Sequence, residues 1–210
     1  MAPKRRFSSK RERLLQTALE LFAKQGIHGT GIDTIVEHAG VTKKTLYAHF
    51  RSKEELLLAA LRHYDGLFRN EFMRKVESAA NTPRTRLLAV FDVAEDWFRQ
   101  QNFYGCLFIN TIGEYSQQKT PIRLVCQENK RLMKGYLQEL CEEAGAENAE
   151  GLAEELALVL EGAIVTAQVS QKPNAAQIAK RTAQVLLDQA IAAHQVALRR
   201  GKKRPQSGHH

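Results

Sequence analysis

Apolar residues recur at three- and four-residue spacing along the chain, and the recurrence stops at glycine, proline or a hydroxyl residue. Leu14, Leu15, Ala18, Leu21 and Phe22 form one face of a first helix, opened by a Ser9/Glu12 capping box and closed near Gly26. Ile32, Ile35, Val36 and Ala39 predict a second helix, with Thr30 as its cap and Asp33 in its first turn, where a carboxylate suits the helix dipole. Gly40 then interrupts, because glycine accepts positive φ without a Cβ clash. Thr42 caps a short third helix bearing Leu46, Tyr47 and Phe50 and ending at Arg51.

Ser52 with Glu55 opens a long fourth helix that has no breaker until Asn81 and carries Leu57, Ala60, Leu61, Tyr64, Phe68 and Phe72 on one side. Thr82-Pro83 starts a fifth with Leu87, Phe91, Ala94 and Phe98 on its buried face. A short apolar helix runs from Cys106 to Tyr115, and Thr120-Pro121 starts a seventh that lasts to about Glu143. The eighth, roughly Ala149 to Gln171, is rich in small and apolar residues and stops at Lys172-Pro173. Asn174 with Gln177 caps the ninth, which bears Ile178, Val185, Leu186 and Ile191. No strand or internal repeat stands out, so the pattern predicts an all-α fold of about nine helices.

The second and third helices make a helix, tight turn, helix unit. Lys43, Lys44 and Thr45 occupy the first turn of its second member, where a helix entering a major groove offers side chains to base edges and its dipole to phosphate. The bland alternative is a solvated helix start. The run Ala39, Gly40, Val41, Thr42, then Leu46, Tyr47, Ala48, His49, Phe50, then Ser52, Lys53 resembles the N-terminal helix-turn-helix of TetR/AcrR family transcriptional regulators. It departs from the usual pattern at Lys44, where members often carry glycine. The resemblance implies a three-helix DNA-binding domain over residues 1–52 with a basic arm at 1–8, an effector-binding and dimerisation domain over 53–198, and a basic disordered tail at 199–210. It makes Tyr47, His49 and Lys53 phosphate contacts, so Thr30, Thr42, Lys43, Lys44, Thr45, Tyr47, His49 and Lys53 form the candidate DNA-facing set. Tyr47 read alone could instead be core, and His49 an ordinary surface imidazole. The arm residues Lys4, Arg5, Arg6, Lys10 and Arg11 either reach neighbouring phosphates or only aid solubility.

Charge sharpens this picture. The net charge of +8 is uneven: residues 1–52 hold ten Lys or Arg against four acids, residues 53–198 sixteen against nineteen, and residues 199–210 five against none. Basic ends on a near-neutral body favour a polyanion-binding module, with counterion release supplying part of the affinity. Cys106, Cys126 and Cys141 are odd in number and not spaced as metal pairs, which argues against a disulfide framework or a zinc site and points to a reducing cytoplasm. No apolar run approaches the ~20 residues that span a bilayer, and the first residues lack the apolar segment of a secretory signal. His209 and His210 are native or a tag remnant and enter no functional reading.

Residues 103–115, FYGCLFINTIGEY, resemble the Gly-Cys-x-Phe-x-Asn segment of a subset of TetR-like regulators, where a short sixth helix borders the effector pocket. On that resemblance Asn110, Thr111 and Glu114 supply polar groups in an apolar neighbourhood, and Tyr64, Phe68, Phe91, Trp97, Phe103, Cys106, Phe108, Arg131 and Tyr136 complete a pocket for an unknown small molecule. Aromatics in such a segment are more often plain core than a ligand box. Cys106 follows Gly105 at a helix start, where the dipole favours thiolate, so it is a sensing candidate beside the commoner reading of a small buried residue. The family's dimer interface, a four-helix bundle from the last two helices of each chain, is matched by Leu158, Glu161, Gly162, Val165, Val169, Val185, Leu186 and Gln189. The expected protein is a homodimeric, ligand-responsive regulator of a palindromic DNA operator, a repressor by first reading and an activator or co-regulator by second. A small helical enzyme is the remaining rival, but no catalytic triad, carboxylate pair, phosphate loop, metal set or cofactor motif supports it, and Asp33, Glu37 and His38 are explained by capping and solvation.

Overall fold

The computed structural model describes residues 9–115 and 119–201, with side chains described through residue 191. The described residues form nine helices and no strand: α1 (Lys10–Gln25), α2 (Ile32–Ala39), α3 (Lys43–His49), α4 (Lys53–Ala79), α5 (Pro83–Phe98), α6 (Leu107–Glu114), α7 (Pro121–Glu143), α8 (Ala149–Ser170) and α9 (Ala175–Gly201). The all-α expectation holds. Two compact units divide the chain, Met1–Glu71 with Gln101–Arg131 and Phe72–Gln100 with Leu132–His210.

In the first unit α1, α2 and α3 pack on one another. Leu14, Ala18, Phe22, Ile27, Ile35, Leu46 and Phe50 are each at most 2% exposed, and each large side chain among them contributes about 1.5–3 kcal/mol by leaving water. Ser9 Oγ accepts the Glu12 amide at 3.2 Å and so starts α1 as the sequence predicts. α2 ends in a Schellman turn: Gly40 sits at φ 61°, its amide donates to Glu37 O, and the Val41 amide donates to Val36 O. Thr42 Oγ1 then accepts the Thr45 amide at 3.2 Å, and α3 begins. α3 stops at His49 rather than Arg51, because Phe50 turns extended, at φ −141°, to put its ring in the core. Ser52 Oγ accepts the Glu55 amide, but Glu55 reaches back to the Arg51 amide at 2.7 Å, one residue before the expected box partner.

Thr30 corrects the sequence reading. Gly31, not Thr30, is the N-cap of α2 and makes no side-chain cap bond. Thr30 is fully buried, its hydroxyl donating to Gly26 O at 2.7 Å and its amide to Ile27 O. That side chain is spent on the α1–α2 turn and is withdrawn from the DNA-facing set.

In the second unit α5, α8 and α9 pack together around Leu87, Val90, Ala94, Leu156, Ala183 and Leu187. Thr82 and Thr85 form a reciprocal capping box with Pro83 at the start of α5, and Asn148 Oδ1 accepts the Gly151 amide at the start of α8. Gln177 does not pair with Asn174 as expected. Its amide donates to Asp92 and Glu95 of α5, beside a Lys180–Asp92 ion pair at 2.6 Å. α9 continues to Gly201, past the expected helix end, since the Ala- and Leu-rich run before it holds no breaker. Lys4, Arg5 and Arg6 of the arm, Lys202, Lys203 and Arg204 of the tail, and His209 and His210 lie outside the described residues.

Gly40 tests the turn geometry. A Cβ there meets no atom within 4 Å, so Gly40→Ala should fold and lose only the left-handed penalty. The expected loss is about 1–2 kcal/mol in urea-induced unfolding.

Candidate nucleic-acid interface and effector region

The exposed side of α3 is built by the turn before it. Leu46 and Phe50 go into the core, which leaves Thr42, Lys43, Lys44, Tyr47 and His49 outside, with Thr45 and Lys53 half-buried. Tyr47 is 52% exposed, so its reading as a core residue fails. Lys43 and Tyr47 stand four apart on one helix face, as contact along a groove requires. Lys43 is engaged in the free chain: its Nζ lies 2.6 Å from Asp33 Oδ1 of α2, and the hydrogen bond and charge of Asp33 raise its pKa. Both groups are well exposed, so the pair is weak, salt-screened and exchangeable for a phosphate. Sequence reasoning assigned Asp33 to the helix dipole, capping and solvation and missed this pairing. Arg11, counted with the arm, lies in the first turn of α1 with its guanidinium 5.3 Å from the Phe50 ring centroid.

The polar groups assigned to the effector pocket have partners within the protein. Asn110 Nδ2 donates to Tyr104 O at 2.9 Å, holding the loop that leads into α6. Thr111 is fully buried and donates to Leu107 O at 2.7 Å. Glu114, at the end of α6, accepts the Ile27 amide at 2.7 Å, the His28 amide at 2.6 Å and His28 Nδ1 at 2.9 Å. Burial raises the pKa of Glu114, but these donors outweigh it and hold the carboxyl below the usual range. Arg131 is a surface residue, bonded to Glu128 one turn away on α7, and is withdrawn from the pocket. The polar contact that sequence reasoning missed is Asp65 of α4, which accepts from buried Asn129 of α7 at 2.8 Å and pairs with Arg69 at 3.5 Å.

The aromatic part of the first unit does come together. The Tyr64 ring stacks on Phe68 at 5.3 Å and lies 5.9 Å from Phe108, and burial pushes the Tyr64 phenol strongly up. Phe103 is half-buried, and Cys106 is 8% exposed as the N-cap of α6. Burial pushes the Cys126 and Cys141 thiols to about 11 and about 12, which makes them poor nucleophiles. In the second unit Phe91 is buried and Trp97 packs on Phe98 at 5.7 Å. Tyr136 is 6% exposed, its phenol pushed by burial to about 12 and its hydroxyl without a hydrogen-bond partner.

The second unit also carries an uncovered apolar face. Leu158 is 74% exposed, Val165 41%, Val169 80% and Val185 55%, with Gly162 and Gln189 exposed between them and Glu161 and Leu186 half-buried. Ile178, which the sequence reading left out of this set, is 51% exposed one helical repeat before Val185. Among the described residues no helix is long and apolar enough to cross a membrane, and no group of His, Cys, Asp and Glu is placed to hold a metal ion.

A helix-turn-helix with a basic outer face, carried on a helical body, defines a DNA-binding regulator. The family model for bacterial regulatory proteins of the tetR family matches residues 14–60, and that for the tetracyclin repressor-like C-terminal domain matches residues 83–183. The chain belongs to the TetR family. The TetR-type transcriptional regulator sav143 of Streptomyces avermitilis superposes with a TM-score of 0.78 at 31% identity, over 87% of this chain and 98% of that one. SCO4454, a TetR-family transcriptional regulator from Streptomyces coelicolor, gives 0.80 at 27% identity over 86% and 95%. The HTH-type transcriptional regulator YerO of Bacillus subtilis is 32% identical over 133 residues, which is 62% of this chain and 46% of that relative. The chain thus spans about half the length of that curated relative.

Asp33 engages Lys43, the residue expected to face DNA. Asp33→Asn should therefore tighten binding to a random duplex and steepen the salt dependence by up to about one phosphate contact, a slope change near 0.9, read by fluorescence anisotropy across a salt series.

Proposed function

We propose that the protein is a ligand-responsive transcriptional repressor that binds a palindromic DNA operator as a homodimer in the cytoplasm and releases it when a small molecule occupies the C-terminal domain. Residues 1–52 bind DNA, residues 53–198 bind the effector and dimerise, and the chain is not an enzyme. The observation that carries this reading is the outer face of α3, where Lys43, Lys44, Tyr47 and His49 are exposed together beside a buried Leu46. Thr42, Thr45 and Lys53 add donors at the two helix starts for phosphate.

Homodimerisation is supported by the apolar face on α8 and α9. Leu158, Gly162, Val165 and Val169 fall at i, i+4, i+7 and i+11, one stripe of a helix, and Ile178, Val185 and Gln189 continue the pattern on α9. A monomer gains nothing by exposing such a stripe, whereas a twofold partner covers it with its own copy. A twofold dimer presents two recognition helices, and half-sites about 34–36 Å apart then fit one face of the duplex. An effector needs to favour the non-binding conformer by only ~1–3 kcal/mol, a usual coupling energy. Tyr64 and Phe68, stacked and half-buried, offer aromatic surface for such a ligand, with Phe108 buried behind Tyr64.

Lys43→Ala and Lys44→Ala should each weaken operator binding and lower the salt slope by about one phosphate contact while leaving the dimer intact; two unchanged salt series would remove α3 from the groove. Val165→Asp combined with Val169→Asp should yield a folded monomer by sedimentation that no longer holds the operator, and a wild-type protein that sediments as a monomer sinks the dimer. Deleting the gene should raise transcription from the operator; a fall instead marks an activator.

A further inference from the structure

The α1–α2 turn is fastened to α6 by one side chain. Glu114 Oε1 accepts the Ile27 amide, while Oε2 accepts both the His28 amide and His28 Nδ1, across a sequence separation of 86 or 87 residues. The His28 ring also stacks on Tyr115 at 5.1 Å and 26°. Gly26 is shaped to this contact: its φ is 80°, and a Cβ there would lie 3.2 Å from Glu114 Oε1. Two of the three donors are backbone amides, so the carboxylate grips the path of the chain itself rather than a mobile side chain. The gripped residues lead through buried Thr30 directly into α2, whose Asp33 holds Lys43 of α3. A continuous series of bonds therefore runs from the end of α6 to the exposed face of α3.

We propose that Glu114 is a positioning residue for DNA recognition: by stapling the α1–α2 turn to α6 it sets the attitude of α2 and α3. The inference rests on the DNA-binding reading above. A purely structural tie predicts something different, because losing it would lower stability and weaken every DNA complex alike. A positioning tie, when lost, leaves the phosphate-facing charges in place but spreads α3 over several attitudes, of which only some fit an operator.

The test uses the full chain and a duplex that the wild type selects from a random-sequence library, together with versions of it whose central spacer is lengthened or shortened by one base pair. Glu114→Gln keeps the side-chain shape but offers one carbonyl oxygen to three donors. It should lose about tenfold in affinity for the selected duplex, as if only ~0.1 of the molecules held the competent attitude, and its discrimination between spacers should shrink. Binding to an unselected duplex should stay within about twofold, since that affinity depends on charge. His28→Ala removes an exposed ring and leaves both amide bonds, so a smaller loss of about threefold on the selected duplex is expected. A Glu114→Gln protein that matches the wild type on all spacers overturns the proposal, as does an equal loss on selected and unselected duplexes with a lowered melting temperature. An unfolded Glu114→Gln beside a His28→Ala that binds like the wild type assigns Glu114 to stability alone and overturns it too. A wild type that selects no duplex defeats the DNA-binding reading itself.

Discussion

The backbone passes through the left-handed region at Gly40, and the direction of α3 follows from that passage. The Schellman bonds to Val36 and Glu37 end α2 abruptly, and two residues later Thr42 accepts the Thr45 amide to start the next helix. With so short a connection, α3 has little freedom in how it leaves α2. Leu46 and Phe50 then anchor it to the core of α1 and α2, and whatever lies on the other side is displayed. Function here depends on a turn that fixes which side faces out.

What is displayed runs against local helix preference. α1 and α4 carry Glu12, Glu54 and Glu55 in their first turns, where acids suit the positive end of the dipole. α3 carries no acid there and two lysines instead. That arrangement raises the positive potential at the helix start and is disfavoured for an isolated helix, but it suits an approaching phosphate. Asp33 offsets part of the conflict from α2 while the protein is free. α5 and α7 also open without an acid and with an arginine, so it is the exposed pair of lysines, not the missing acid alone, that suits the start of α3 to an anion.

The same contrast explains what could be read from the amino-acid order. The caps at Ser9, Thr42 and Thr82 were legible because donor and acceptor lie three residues apart, so the motif contains its own partner. Thr30 and Gln177 were misread for the complementary reason. Each has the residue type of a cap, yet each side chain is claimed by another element, Thr30 by the end of α1 and Gln177 by Asp92 and Glu95. Glu114 looked like a spare polar group in an apolar helix, and no local pattern could reveal that its donors lie 86 and 87 residues earlier. Arg131 was misplaced because its helix face could not be tied to a neighbour from spacing alone, whereas Glu128, three residues before it, satisfies it at the surface.

The apolar face of α8 and α9 is offered in a fixed form because its far side is tied down with polar bonds. Lys180 and Gln177 reach Asp92 and Glu95 on α5, and Asp188 pairs with Arg84. Ala176, Ala183 and Leu187 are fully buried between these ties, on the side of α9 opposite Ile178 and Val185. The two sides of one helix thus differ in kind, with directional charged bonds and buried apolar residues holding it inward and non-directional apolar surface facing out. Directional bonds set the rotation of α9 about its own axis, and that rotation decides which residues remain uncovered. An apolar stripe on a helix free to roll would bury itself. Here the bonds to α5 prevent that for α9, so Ile178 and Val185 stay exposed beside Leu158, Val165 and Val169 of α8, as the proposed twofold pairing needs.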